Sequence, residues 1–251
     1  MNLYPEFEGK IVVITGVSSG IGFEQAKAFL DAGAKVFGAD IQNGGQVYEL
    51  NDHGNFNFTK CDVSDPQEIE AWLNPIIENN QIDILINTVG ILDGYAPTLE
   101  TTEDQWDKIF NTNLKSIFRI TNLILPQMLE NGHGTIVNMA SIAGMVAGGG
   151  GAAYTAAKFG IIGYTKQLDY DYAAKGIRAN CIAPGAIETP MNAKDFEEDD
   201  SKMAKWVADQ TPAKRWAQPE EVAALTMFLA SPRADYIHGT AVPIDGGWLE
   251  K

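Results

Sequence analysis

The chain has little cysteine, little histidine and too little positive charge to balance its acids. Its two cysteines, Cys61 and Cys181, sit in apolar, strand-like stretches. That excludes a disulfide framework and reads as buried thiols in a reducing compartment. The three histidines, His53, His133 and His238, are scattered without metal-ligand spacing, so they read as solvated loop residues and no catalytic metal is expected. Lys and Arg number 18 against 33 Asp and Glu, a formal net charge of -15. Nucleic acid and anionic membrane both require a basic face, so both are poor partners. No uninterrupted apolar stretch reaches the ~18 residues of a membrane span. Residues 1–10 carry Glu6 and Glu8 where a secretory leader would be apolar, and the expectation is a cytoplasmic protein.

What is present is an alternation. Seven short apolar runs, Ile11–Thr15 and residues 34–40, 56–63, 82–87, 134–141, 178–183 and 240–244, are separated by helical patterns at 67–78, 103–129, 153–175 and Pro219–Ala230. Continuous apolar strands alternating with helices predict a parallel sheet covered on both faces. The expected fold is α/β: a single doubly wound domain over residues 1–251, with a seven-stranded, mostly parallel sheet. One compositional break, residues 188–217, sets an acidic cluster (Asp195, Glu197, Glu198, Asp199, Asp200) beside Met191, Met203, Trp206 and Trp216. An apolar insertion directly after a strand end reads as a lid over a substrate pocket.

The first strand ends in Thr15-Gly16-Val17-Ser18-Ser19-Gly20-Ile21-Gly22. Gly16 permits a tight turn, Gly20 lets the backbone approach a pyrophosphate, and Gly22 lets the helix pack on the strand. Ser18, Ser19 and Ile21 complete the expected contacts of this turn with a dinucleotide. Asp40 ends the second run, about 20 residues on, where a carboxylate accepts from both ribose hydroxyls and repels a 2′-phosphate. Neither Val17 nor Ile41 supplies a cation, so the expected cofactor is NAD. Asp62 and Val63 end the third run, where they either meet the adenine or serve a helix N-cap near Pro66. A rival reading takes Gly16-Val17-Ser18-Ser19-Gly20 as a G-x-S-x-G nucleophile elbow, a serine hydrolase with Ser18, Asp235 and His238. It places the elbow on the first strand, with no upstream strand for an oxyanion loop, and leaves Asp40 unexplained.

Tyr154 and Lys158 stand four apart, on one helix face. An ammonium near a phenol lowers its pKa, which suits Tyr154 to give a proton to a carbonyl or take one from an alcohol. Lys158 also reaches a nicotinamide ribose. Ser141 ends the fifth run, where ligands bind in this fold, and can hold the substrate oxygen. Asn113, in the long helix, can hold a water that relays protons to Lys158.

Together these residues resemble the short-chain dehydrogenase/reductase family, from the TGxxxGIG turn to Asp245-Gly246-Gly247. The resemblance implies cofactor binding by Gly16, Gly20, Gly22 and Asp40 and a catalytic tetrad of Asn113, Ser141, Tyr154 and Lys158. It also implies nicotinamide contacts from Pro184, Gly185, Ile187 and Thr189, and a homotetramer. Asn87-Thr88-Val89-Gly90 stands where the family has N-[N/A]-A-G; Asn87 and Gly90 keep their cofactor role and Val89 is bulkier than the usual Ala.

The expected pocket wall is Leu92, Met145, Val146, residues 148–151, Met191 and Trp206, apolar with one polar corner, suited to a free small or medium ketone or secondary alcohol. The alternative is a 3-oxoacyl-(acyl-carrier-protein) reductase. Such an enzyme needs arginines to dock its acidic partner; here those places hold Thr135 and Tyr170, with Asp169 and Asp171 alongside. An NAD-sensing protein without catalysis is disfavoured by the intact tetrad.

Overall fold

The computed structural model describes residues 3–197 and 199–250. Glu198 of the acidic cluster and residues 1, 2 and 251 lie outside it. In chain order, β1 (Ile11–Thr15) runs into α1 (Gly20–Asp31), and β2 (Lys35–Asp40) into the one-turn α2 (Val47–Leu50). Next come β3 (Phe56–Lys60), α3 (Pro66–Asn79), β4 (Ile84–Asn87), α4 (Glu103–Phe110) and α5 (Ser116–Asn131). β5 (Gly134–Met139), α6 (Ala152–Tyr172) and β6 (Ile177–Pro184) follow, then α7 (Ala193–Glu197), α8 (Lys202–Gln210), α9 (Pro219–Ala230) and β7 (Ala241–Ile244).

The strands form one sheet in the order β3-β2-β1-β4-β5-β6-β7. Every pairing is parallel, so the expected mostly parallel sheet is wholly parallel among the described strands. Parallel neighbours require long crossovers, and helices provide them on both faces. The two-residue period of a strand divides the core. Val12 and Ile14 of β1 and Ile84 and Ile86 of β4 pack with Phe23 and Phe29 of α1 and Leu229 of α9. Val13 and Leu85, from the same strands, face Ile69 and Leu73 of α3, Ile120 of α5 and Leu168 of α6. Each fully buried side chain of this kind stabilises the fold by roughly 1.5–3 kcal/mol. Strand order reverses between β1 and β4, and a crevice opens beyond their carboxyl ends, where ligands bind in such sheets.

Some expected boundaries and caps differ, each for a local reason. The run 56–63 leaves the sheet after Lys60, and Asp62 turns the chain by accepting the Ser64 N–H at 2.8 Å. Asp65, not Asp62, caps α3, through Gln67 N–H at 2.7 Å. The helix expected over 103–129 is broken by a π turn at Asn111–Lys115, where the Ser116 N–H reaches back five residues to the Asn111 carbonyl. Such a turn absorbs one extra residue, and it turns Asn113 fully inward. Two of the solvated histidines also meet a carboxylate: His133, its side chain 46% exposed, lies 3.0 Å from Asp83, and His238, 37% exposed, 2.9 Å from Asp169. Among the described residues no helix is long and apolar enough to cross a membrane.

Candidate active site

Two cavities open along the carboxyl edge of the sheet. The larger, about 740 Å³, runs past the turn after β1 and the ends of β2 and β3, and is walled by Gly16, Ser19, Gly20, Ile21, Gly22, Asp40, Asp62, Val63 and Gly90. The turn needs its glycines. Gly16 and Gly20 have φ of 82° and 55°, a region that L side chains avoid. A Cβ on Gly22 would collide with the Gly16 carbonyl oxygen. Ser19 gives α1 no side-chain cap, so the first N–H groups of a 12-residue helix point toward the groove with the positive end of its dipole. Asp40 accepts from the backbone N–H groups of Ser18 at 3.0 Å and Gln42 at 2.9 Å, which holds its carboxylate at the groove wall. A glycine cradle, a helix N-terminus whose first N–H meets Gln46 Oε1 at a long 3.4 Å, and a carboxylate along one groove fit a dinucleotide.

Two expected groove residues point elsewhere. Ser18 is buried, and its hydroxyl donates to the Gln42 carbonyl at 2.7 Å. That also removes the serine hydrolase reading, since His238 is engaged with Asp169 and the Asp235 carbonyl. Asn87 is buried behind the groove, donating to Asn138 at 2.9 Å; Asn138 donates in turn to Thr165 of α6 at 3.0 Å. This amide ladder ties β4 and β5 to the helix that carries Tyr154.

The second cavity, about 510 Å³, brings together Ser141, Tyr154 and Lys158 with Pro184, Gly185, Ile187 and Thr189. Ser141 caps the turn after β5: its Oγ accepts the Ala143 N–H at 3.1 Å. Lys158 Nζ donates to the Met139 carbonyl at 2.8 Å and lies 5.4 Å from the Tyr154 ring centre. Asn113 engages Ile91 with both ends of its amide, Oδ1 accepting the N–H at 2.8 Å and Nδ2 donating to the C=O at 2.9 Å. Its side chain therefore anchors the β4–α4 connection. A Cβ on Gly90 would come 3.4 Å from Lys158 Nζ and 3.8 Å from Asn113 Oδ1.

Electrostatics here runs against the sequence-based expectation. Burial pushes the Tyr154 phenol up to about 12, against a lowering hydrogen bond from Ser141. Burial also pushes the Lys158 ammonium down, to about 8. The ammonium faces a carbonyl and the ring, and the phenol's rise comes first from burial, with Tyr95 and Asp93 adding to it. Tyr154 is thus a protonated acid at neutral pH.

Several site residues have no signal in the sequence. Asp93, on the β4–α4 connection, is buried; Oδ1 accepts the N–H groups of Gly151 at 2.9 Å and Tyr95 at 3.1 Å, and Oδ2 that of Tyr154 at 2.8 Å. It caps α6 from 58 residues away. Tyr95 and Trp248 join Leu92, Met191, Trp206 and the lid residues Asp195 and Trp216 in the wall of the second cavity, whereas Met145 and Val146 lie outside it and face solvent. Thr88 faces both cavities and is backed by Gln25 of α1 at 2.5 Å, which donates to Thr226 of α9 at 2.8 Å.

A glycine turn at the switch point of a parallel sheet, leading into a pocket that holds Ser, Tyr and Lys, defines a dinucleotide-dependent oxidoreductase architecture. The family profile described as enoyl-(acyl carrier protein) reductase matches residues 16–249. The chain is 37% identical over 250 residues to the 3beta-hydroxysteroid dehydrogenase 2 of Eggerthella lenta, covering 97% of this chain and 96% of that one. It is 38% identical over 245 residues to the 3-oxoacyl-[acyl-carrier-protein] reductase of Vibrio cholerae, covering 96% and 97%. A gluconate 5-dehydrogenase from Burkholderia cenocepacia, solved with NADP and tartrate, superposes with a TM-score of 0.89 at 30% identity, covering 97% of this chain and 96% of that one. The chain belongs to the short-chain dehydrogenase/reductase family of oxidoreductases.

Proposed function

We propose that the protein interconverts a ketone and a secondary alcohol with NAD(H), with Tyr154 as the acid/base. The observation that carries this reading is the convergence of Ser141, Tyr154 and Lys158 on a cavity that shares walls with the glycine-turn groove. NAD(H), when bound, supplies or accepts the hydride. The turn from Gly16 to Gly22 holds its pyrophosphate with backbone N–H groups, and Asp40 takes the adenosine ribose. Lys158 takes the nicotinamide ribose, near Pro184, Gly185, Ile187 and Thr189. Ser141 donates to the substrate oxygen; Tyr154 gives its phenolic proton to the same oxygen as the carbonyl is reduced, and recovers it on oxidation. Residues 188–217 act as the lid: Thr189, Met191, Asp195, Met203, Trp206 and Trp216 all face the cavity.

We read the substrate as free and not carried on a protein. On α6, the place where a carrier-docking arginine is expected holds an exposed tyrosine, Tyr170, beside Asp171. Asp169 is turned inward to accept the Ala179 N–H at 2.9 Å.

Initial rates with NADH and NADPH against a panel of ketones test the proposal. Tyr154→Phe keeps the ring and deletes the proton; turnover should fall ~10²–10⁴-fold, the range of lost general acid catalysis, with NADH affinity nearly unchanged. Near-normal turnover by this variant would overturn the mechanism. NADH should outperform NADPH, because a 2′-phosphate beside Asp40 is repelled, and Asp40→Ala with Ile41→Arg should reverse the preference. Equal or tighter NADPH binding by the unaltered protein contradicts the assignment.

A further inference from the structure

Thr88 stands where the two cavities meet, in the walls of both. Its backbone is pinned from β1: the Thr15 hydroxyl accepts the N–H groups of Thr88 at 2.9 Å and of Val89 at 3.2 Å. Its side chain is pinned from α1, the helix that follows the glycine turn. Gln25 of that helix is wholly buried, as is Thr226 of α9, and neither lines a cavity. The three side chains make one line of hydrogen bonds. Thr88 meets Gln25 at 2.5 Å, Gln25 meets Thr226 at 2.8 Å, and Thr226 meets the Val222 carbonyl at 2.9 Å. An amide is costly in a core unless its bonds are made, and here they lead to the cavity wall.

The line has a direction. A hydroxyl has one proton and two lone pairs. Thr226 gives its proton to the Val222 carbonyl, so toward Gln25 it only accepts. Gln25 must therefore turn its Nε2 to Thr226 and its Oε1 to Thr88. Facing an oxygen that only accepts, Thr88 must donate. Its proton is committed, and lone pairs alone remain for anything in the cavities. A Cβ on Gly90, two residues along the same segment, would stand 3.4 Å from Lys158 Nζ, so the segment passes the ammonium assigned to the nicotinamide ribose.

We propose that Thr88 accepts a hydrogen bond from a donor on the nicotinamide half of the dinucleotide, and that Gln25 is the positioning residue that fixes Thr88 as an acceptor. This rests on the dinucleotide reading above and extends it to two residues of the chain. A ribose hydroxyl suits the role: one that accepts from the Lys158 ammonium still has its own proton to place. The carboxamide N–H of the nicotinamide is the other donor of the same kind.

The test is calorimetric binding of NADH, ADP-ribose and AMP to the full chain. ADP-ribose keeps the second ribose and lacks the nicotinamide; AMP lacks both. Thr88→Val keeps the shape and deletes the hydroxyl. It should weaken NADH by roughly 3- to 10-fold, the scale of one neutral hydrogen bond, and leave AMP unchanged. ADP-ribose weakened alongside NADH assigns the donor to the ribose, and ADP-ribose left unchanged assigns it to the carboxamide; both support the proposal. Gln25→Met releases the Thr88 hydroxyl and should cost NADH a similar factor with AMP again unchanged. Gln25→Glu should recover most of that loss, because its carboxyl, protonated or not, still offers Thr88 an oxygen. NADH binding unchanged in Thr88→Val overturns the proposal, as does AMP weakened as far as NADH, which marks a general loss of structure. Equal losses in Gln25→Met and Gln25→Glu overturn the role of Gln25. An unaltered chain that binds no NADH sinks the dinucleotide reading itself.

Discussion

Lys158 lies between the Met139 carbonyl and the Tyr154 ring, and lost hydration brings its ammonium down from 10.5 to about 8. A lysine is charged below its pKa, so the charge that would hold the nicotinamide ribose is complete below pH 8 and lost as pH rises through it. The apparent affinity for NADH, and kcat/KM for ketone reduction, should therefore fall on an alkaline limb near pH 8. Tyr154, pushed up to about 12, keeps its proton through that range and contributes no limb there. Lys158→Arg, always cationic, should remove the limb while retaining part of the activity. A profile flat to pH 10 in the unaltered protein would show that Lys158 is not titrating, or that its charge is unused. Tyr154, Lys158 and Ser141 are legible in the sequence because each acts through local geometry, an i,i+4 pair or a strand end. Their ionisation is not, because burial is a property of the assembled fold.

At the scale of elements, the start of α6 depends on another part of the chain. Its N-cap, Gly151, has no side chain, and the Asp93 carboxylate takes the N–H groups of Gly151 and Tyr154. Asp93→Ala should cost ~0.5–2 kcal/mol, as lost helix caps do, read as a lower urea midpoint. It should also lower kcat for ketone reduction more than it raises the NADH Kd, because Tyr154 sits in the unlatched turn. Asp93→Asn keeps one acceptor oxygen and should recover part of kcat; a variant that loses stability with kcat intact would make Asp93 purely structural. The sequence carries no signal for this role of Asp93, since its partners lie 58 and 61 residues on. The same limit hid the break in the helix expected over 103–129: apolar periodicity continues through Asn111–Lys115, and the extra residue is explained only by the bonds of Asn113 to Ile91. The direction of the Asn87 side chain, toward Asn138, was hidden for the same reason. The existence and order of the seven strands were legible, because buried parallel strands are short, apolar and separated by helical spacing, whereas the one-turn α2 between β2 and β3 is too short to show a period.

At the scale of the whole molecule, α5 and α6 leave aromatic surface in water. Phe118 and Phe159 are each 48% exposed, and Phe118 stands edge-on to Tyr164 at 6.1 Å. Such a patch on two long neighbouring helices suits self-association, and the expected assembly is a homotetramer. Phe159→Glu should shift sedimentation at micromolar concentration toward smaller species, whereas an unaltered protein that sediments as a monomer contradicts the assembly. The excess of acids, -15 in formal charge, is carried by the same molecule, so association at low salt should be weaker than at physiological salt.

Ile21, Thr88, Gly90, Leu92, Thr189 and Met191 face both cavities. A dinucleotide lying in the larger one becomes part of the boundary that the second ligand meets, and a second ligand seated first obstructs the inner end of the glycine turn. Turnover should then follow a compulsory sequence, dinucleotide first on and last off. In steady-state kinetics NAD⁺ should compete with NADH, while the alcohol product should not. An alcohol that competes cleanly with NADH would mean that the two chambers fill independently of each other.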